Sequence, residues 1–174
     1  MSATHLHLMF NHLPVLGTPL VLALLLWGLF RRSRDVQRTA LGAAVIVAAL
    51  SYPVFLTGEP AEERVEDAAW MQERMVHEHE ERAEAALIAI MITGAVALVT
   101  LWQSRGDRPV TIGLTGLTAA GLLASAGLFG WAALAGGVIR HDEIRAGTAL
   151  APPAAEQPAD GPGAGGGDDD GDDD

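Results

Sequence analysis

The chain has 174 residues, 49% of them hydrophobic, with no cysteine and a formal net charge of −11. The absence of cysteine excludes disulfides, thiolate metal sites, iron–sulfur clusters and covalently attached c-type haem. Nucleic acid is not an expected partner, because the chain has no basic patch that would release counterions from a phosphate backbone.

Four uncharged apolar blocks, at roughly 13–30, 39–58, 85–104 and 109–139, indicate a membrane protein. A helix crosses the hydrocarbon core of a bilayer with about 20 apolar residues. The first three blocks have about that length, and within the longer fourth block we place a span at about 112–136. The first block has its basic cluster after it, the reverse of a secretory signal peptide, so we expect it to be retained as a helix. The prediction is an all-α membrane protein whose transmembrane domain covers residues 1–145.

Arginines mark two of the loops. The loop after the first span carries Arg31, Arg32, Arg34 and Arg38, and the loop after the third carries Arg105 and Arg108. Because cytoplasmic loops collect basic residues, both loops are predicted to face the cytoplasm and both termini the outside. Trp27 and Trp102 stand beside these loops, as interfacial aromatic residues do. Short connections between spans favour an up-down bundle.

The segment between spans two and three is acidic and predicted to be helical. The stretch "AEERVEDAAWMQERMVHEHEERAEAA" has no Gly or Pro and is rich in strong helix formers. One mostly apolar stripe repeats every three or four residues, at Val65, Ala69, Gln72, Val76, His79, Ala83, Ala86 and Ile90. We therefore expect an extracytoplasmic extension of the third spanning helix, continuous with the span.

The C-terminal segment 146–174 contrasts with the rest of the chain. It contains eight acidic residues and no basic residue, in a low-complexity Ala, Pro and Gly background. Such a segment has almost nothing to bury and is predicted to be disordered. A solubilising role is the first interpretation, and a metal-sequestering or partner-binding role is the alternative.

Histidines are confined to the predicted extracytoplasmic side. Three of them stand at one depth: His12 at the top of span one, His79 about one turn above span three, and His141 directly after span four. Helical bundles build metal and cofactor sites from side chains, histidines among them, that face each other at one level. His79 lies on the apolar stripe, whereas His77 is about 200° round the helix and is interpreted as solvated.

The remaining histidines and their neighbours leave alternatives open. Pro14 disfavours a helix through Leu13, so the sequence does not decide whether His5 or His7 turns inward. Interfacial histidines also occur without a ligand, hydrogen-bonded or charged, and they titrate between about pH 5 and 8. Glu80, Asp142 and Glu143 either accept a hydrogen bond from a ring nitrogen and so orient the imidazole, or are solvated charges. Arg140 would repel a dication and favour an anion or a haem propionate.

Four motifs resemble those of a family of uncharacterised bacterial four-span membrane proteins. The stretches "HLMFNHLPVLG" (7–17), "YPVFLTGEPAE" (52–62), "HEERAEAALIAIMITGAVALVTLW" (79–102) and "GGVIRHDEIR" (136–145) match its HLMxNHxPxxG, TG, HE and GGxIRHPEI motifs. The resemblance covers about residues 5–145 and implies a bacterial inner-membrane location. It passes over His5 and His77, and Asp142 replaces the usual Pro. The positions it selects are His7, Asn11, His12, Thr57, Gly58, His79, Glu80, Arg140, His141 and Glu143.

Two function hypotheses follow. In the first, an extracytoplasmic site binds Cu, Zn, Fe or b-type haem for electron transfer with an external carrier or for metal handling. Its ligands are His7, His12, His79 and His141, surrounded by Asn11, Glu80, Arg140 and Glu143. In the second, the chain is a non-catalytic accessory or scaffold subunit of a larger complex in the lipid bilayer. A hydrolase is disfavoured, because "HEHEE" and "HEERA" do not form HExxH.

Overall fold

The computed structural model describes residues 3–58, 60, 72–106 and 108–141. Helices make up most of these residues and no strand occurs among them, which confirms the all-α class. The helices are α1 (Ala3–Phe10), α2 (His12–Phe30), α3 (Arg34–Leu56), α4 (Glu73–Gln103) and α5 (Ile112–Arg140). The predictions for residues 61–71 and for the tail 146–174 lie outside the described residues.

Four helical stretches are long and apolar enough to cross a membrane, as predicted. They are His5–Phe30, Arg34–Leu56, Glu73–Gln103 and Ile112–Ile139. Their outer surfaces expose large apolar side chains, among them Leu20 (70%), Ile92 (62%) and Leu123 (64%). A bundle in water would bury such side chains, whereas in a bilayer they contact acyl chains.

α1 and α2 together form one nearly continuous helix. Asn11 lies between them with helical dihedral angles (φ −60°, ψ −26°), and its amide donates to the His7 carbonyl at 2.8 Å. The prediction that Pro14 disfavours a helix through Leu13 is therefore wrong. Pro14 stands in the first turn of α2, where an amide would have no acceptor within α2 and where the fixed φ of proline suits the helix. His7 and Asn11, one turn apart, consequently share a face.

The four long helices close into a ring. α2 packs on α3, α3 on α4, α4 on α5, and α5 returns to α2, while α1 contacts α2 and α3. Fully buried Leu25, Leu41, Ile90 and Leu122 contribute one side chain from each long helix to the centre. α4 is unbroken from Glu73 to Gln103 and buries Val76, Ala86 and Ile90 of the predicted stripe.

Small residues set the helix spacing. A Cβ at Gly94 would clash with Ala48 of α3, and a Cβ at Gly121 would clash with Thr93 of α4. Close approach through small residues is the usual packing of membrane helices. The hydroxyl of Thr93 donates to the Ala89 carbonyl one turn back at 2.8 Å, so burying it leaves no unpaired donor.

The two arginine-bearing connections meet at one end of the bundle. Ser33 caps α3, its hydroxyl accepting from the Val36 amide. Nη2 of Arg38 on α3 donates to the carbonyls of Ser104, Gly106 and Arg108 in the α4–α5 connection. Carbonyls at a helix C-terminus lack partners within the helix and attract a cation. Arg38 therefore ties the start of α3 to the end of α4.

Candidate histidine site

His7 reaches from α1 to the C-terminal end of α3. Its Nδ1 lies 3.1 Å from Thr57 Oγ1 and 3.3 Å from the Val54 carbonyl oxygen. The Thr57 hydroxyl donates its own proton to the Val54 carbonyl at 2.6 Å, so both oxygens act as acceptors toward the ring. Nδ1 of His7 therefore carries a proton, and in the neutral ring the lone pair is on Nε2.

His79 reaches from α4 to α5 in a similar way. Its Nδ1 lies 2.9 Å from the carbonyl oxygen of Ala132. A carbonyl only accepts, so Nδ1 again carries a proton, and in the neutral ring the lone pair is on Nε2. The ring lies against Gly136, where a Cβ would come within 3.1 Å of Cε1. A second contact joins the same two helices nearby: the guanidinium of Arg82 on α4 lies 4.6 Å from the ring centroid of Trp131 on α5.

The two rings lie at the same end of the bundle and are both half-buried. A glycine accompanies each ring, since a Cβ at Gly58 would lie 3.7 Å from Cε1 of His7. Metal-binding histidines usually donate one ring N–H to an oxygen acceptor, which orients the other nitrogen toward the metal. Both His7 and His79 have that arrangement.

Asn11 adds an unpaired polar group on the same face of the helix as His7. Its Oδ1 is buried and has no hydrogen-bond partner among the described residues. A buried amide oxygen without a partner costs free energy and is uncommon in native proteins. Because Asn11 follows His7 by one turn, this oxygen is placed to accept a hydrogen bond from a polar ligand held at that histidine.

The other two predicted ligands, His12 and His141, are exposed. His12 is exposed, because five residues along a continuous helix rotate it about 140° from His7. His141 is exposed at the C-cap of α5, with its amide donating to the Gly137 carbonyl at 3.1 Å. No group of three or more His, Cys, Asp or Glu side chains able to hold a metal ion occurs among the described residues.

The predicted surrounding residues are only partly described. Glu80 follows His79 and is half-buried. Glu143, Asp142 and the side chain of Arg140 lie outside the described part of the chain. His77 is confirmed as a solvated residue: its side chain is 70% exposed, and its Nε2 lies 3.3 Å from Oε1 of Glu81.

The backbone carbonyls that hydrogen-bond to the two rings could not be predicted from the sequence. Nothing in the sequence marks the carbonyls of Val54 and Ala132 as acceptors, because every residue carries one. The hydroxyl of Thr57 was signalled only through the TG motif of the resemblance. Gly136, which lies beside His79, is the first residue of the GGxIRHPEI motif of the resemblance.

Comparisons with protein families, with curated proteins and with solved structures found no match for this chain. The resemblance drawn from the four motifs therefore stays a prediction.

Proposed function

We propose that this chain is an inner-membrane protein that binds a transition-metal ion through Nε2 of His7 and Nε2 of His79, for electron transfer or metal handling. The observation that carries the proposal is the contact of both Nδ1 atoms with oxygen acceptors, at the C-terminal end of α3 and on α5. In their neutral form, the two imidazoles present the lone pairs of Nε2 at one end of the bundle.

The donor set favours Cu, Zn or Fe. Neutral imidazole suits these ions, whereas magnesium and calcium prefer oxygen ligands. Two protein donors leave coordination positions open to exchangeable ligands, which suits an ion that is passed on or that changes its redox state. A b-type haem held by two imidazoles uses the same nitrogens and is identified by its colour in the experiment below.

The membrane orientation is part of the proposal. An up-down bundle with the arginine-bearing connections in the cytoplasm agrees with the preference of basic residues for that side. Both termini, the extension of α4 and the histidine pair then face the outside of a bacterial cell. An ion at the site would be exchanged with the extracytoplasmic space and its electron carriers.

A scaffold role is the second candidate, and one observation favours it. The hydrogen bonds of His7 and His79 tie α1 to α3 and α4 to α5 without any ligand. Histidines that serve only as such ties would leave the protein free of metal. The chain would then be an accessory subunit, and the charged extension of α4 would contact other members of a complex.

Metal content of matched variants separates the two candidates. Wild-type protein, His79→Asn and His77→Asn are purified in mild detergent from a metal- and haem-replete host, then compared by elemental analysis and by visible spectra before and after dithionite. Asn at position 79 keeps an N–H donor near the Ala132 carbonyl but removes Nε2. We expect stoichiometric Cu, Zn or Fe in the wild type and in His77→Asn, and its loss in His79→Asn.

The other outcomes are equally definite. A Soret band that shifts on reduction and disappears in His79→Asn makes the ligand a haem. A colourless wild-type protein without bound metal overturns the cofactor proposal and leaves the scaffold role. Equal loss of metal from His77→Asn and His79→Asn also contradicts it, because an exposed histidine would then matter as much as the paired one.

A further inference from the structure

A groove opens at the arginine-rich end of the bundle, far from the histidines. Its volume is about 440 Å³, within the range of about 300–1,000 Å³ that small-molecule sites occupy. Its apolar lining, called the apolar wall below, comes from α4, and its basic and polar lining, called the basic wall, comes from Arg38 and the α4–α5 connection. The lining residues are Leu98, Leu101, Trp102, Ser104, Arg105, Gly106 and Arg38.

The basic wall carries charge that the described carboxylates do not neutralise. Arg105 is exposed, and no described carboxylate forms an ion pair with Arg105 or Arg38. Arg38 donates through Nη2 to carbonyls of the connection, which holds its guanidinium at the edge of the groove. Guanidinium groups bind phosphate through charge-assisted hydrogen bonds, so this wall is complementary to a phosphate.

The apolar wall leads from the groove onto the lipid-facing side of α4. Leu98 and Trp102 stand one turn apart on that helix and are 54% and 62% exposed. Tryptophan at the end of a spanning helix marks the depth of the lipid headgroups. A molecule that fills the groove therefore needs an anionic group beside Arg105 and a hydrocarbon chain beside Leu98.

We propose that this groove binds an anionic phospholipid, with its phosphate between Arg105 and Arg38 and an acyl chain along Leu98 and Trp102. A phospholipid is the molecule that brings phosphate and hydrocarbon together at this depth of a membrane. Basic pockets between spanning helices bind such headgroups in general. The bound lipid would bridge α3 and the α4–α5 connection on the side opposite to the histidines, so this inference is independent of the metal.

Lipid retention by matched arginine variants tests the inference. The full-length protein in detergent is incubated with phosphatidylglycerol or phosphatidylcholine in phosphate-free buffer, and bound lipid is counted by native mass spectrometry. We expect Arg105→Gln to weaken phosphatidylglycerol binding about fivefold, equivalent to about 1 kcal/mol, the contribution of one basic residue at an anionic surface. Arg31→Gln removes the same charge outside the groove and should bind like the wild type.

Three results would overturn the inference. Equal weakening by Arg31→Gln would mean a diffuse charge effect, and equal retention of the two lipids by the wild type would exclude recognition of an anion. Displacement of the lipid by millimolar glycerol 3-phosphate would show that a free phosphate compound is the ligand. Trp102→Ala provides the apolar test: it should weaken phosphatidylglycerol binding while leaving any binding of glycerol 3-phosphate unchanged.

Discussion

At the level of single residues, the His79 ring depends on the absence of a side chain at position 136. The imidazole contacts Gly136 while its Nδ1 donates to Ala132 one turn earlier on α5. A methyl group at position 136 would come within 3.1 Å of Cε1 and 3.2 Å of Nδ1, closer than ordinary van der Waals contact. The ring would have to rotate or withdraw, and either movement lengthens the hydrogen bond that fixes its tautomer.

Gly136→Ala should therefore weaken metal binding without unfolding the bundle. We expect a loss of affinity of about 10–100-fold, the usual cost of disturbing the hydrogen bond that orients a metal-binding histidine. Titration of the purified protein with Cu or Zn measures it. Gly127→Ala is the matched control, since Gly127 lies on the same helix with nothing within 4 Å of the added Cβ. Equal affinities for the two variants would show that the ring position does not depend on Gly136.

The sequence predicted one histidine of the pair more firmly than the other. His79 could be placed because it lies on a stripe of period 3.6, and this stripe faces the neighbouring helices in the structure. His7 could not be placed, because the interpretation of Pro14 as a helix break removed the periodicity that relates His7 to α2. With the helix continuous, the same periodicity separates His12 from His7 by about 140°. The depth of a residue in the membrane, on which the prediction for His12 depended, does not show which way its side chain points around the helix axis.

At the level of helices, the contact between α4 and α5 positions His79 against its acceptor. Thr93 of α4 is 4% exposed, and α5 passes over it at Gly121. A larger residue at position 121 must push the two helices apart, because the Thr93 side chain is held by its hydrogen bond to the Ala89 carbonyl. Such overpacking typically costs about 1–3 kcal/mol.

Gly121→Val should lower the thermal stability of the detergent-solubilised protein and loosen metal binding together. The lost stability reflects the displaced helix, and the lost affinity reflects the lengthened contact between His79 and Ala132. Gly116→Val serves as the control on the same helix, since a Cβ at Gly116 has no neighbour within 4 Å. A melting temperature for Gly121→Val no lower than that of Gly116→Val would contradict this account of the packing.

Apolar blocks located the helices better than they located the helix ends. The block at about 39–58 corresponds to a helix that starts at Arg34, because Ser33 caps it before the apolar residues begin. The block at about 85–104 is the lower part of α4, whose upper turns carry charge. Hydropathy reports where the chain enters hydrocarbon, whereas helix ends follow from backbone hydrogen bonds, so the two boundaries differ where a polar or charged turn extends the helix, as at Arg34 and Glu73.

At the level of the whole molecule, α4 is longer than a bilayer is thick. Its 31 residues correspond to about 46 Å at 1.5 Å per residue, against a hydrocarbon core of about 30 Å. The excess lies at the end that contains Glu73 and His77, since the other end carries the interfacial Trp102. One end of α4 therefore projects into water beside the histidine pair, and the other ends in the arginine-bearing connection.

Two glutamines at opposite ends of α4 give a direct test of the proposed orientation. Gln72 and Gln103 are both exposed, and the chain has no cysteine that would react in the background. In intact cells, a membrane-impermeant maleimide should label Gln72→Cys, while Gln103→Cys should react only after the membrane is disrupted. This follows because six arginines cluster at the Gln103 end, and translocating them across the membrane is unfavourable. The reverse labelling pattern would place the histidine pair in the cytoplasm and exclude exchange of its ligand with the outside. Labelling of both variants in intact cells would show that the helix does not hold one orientation.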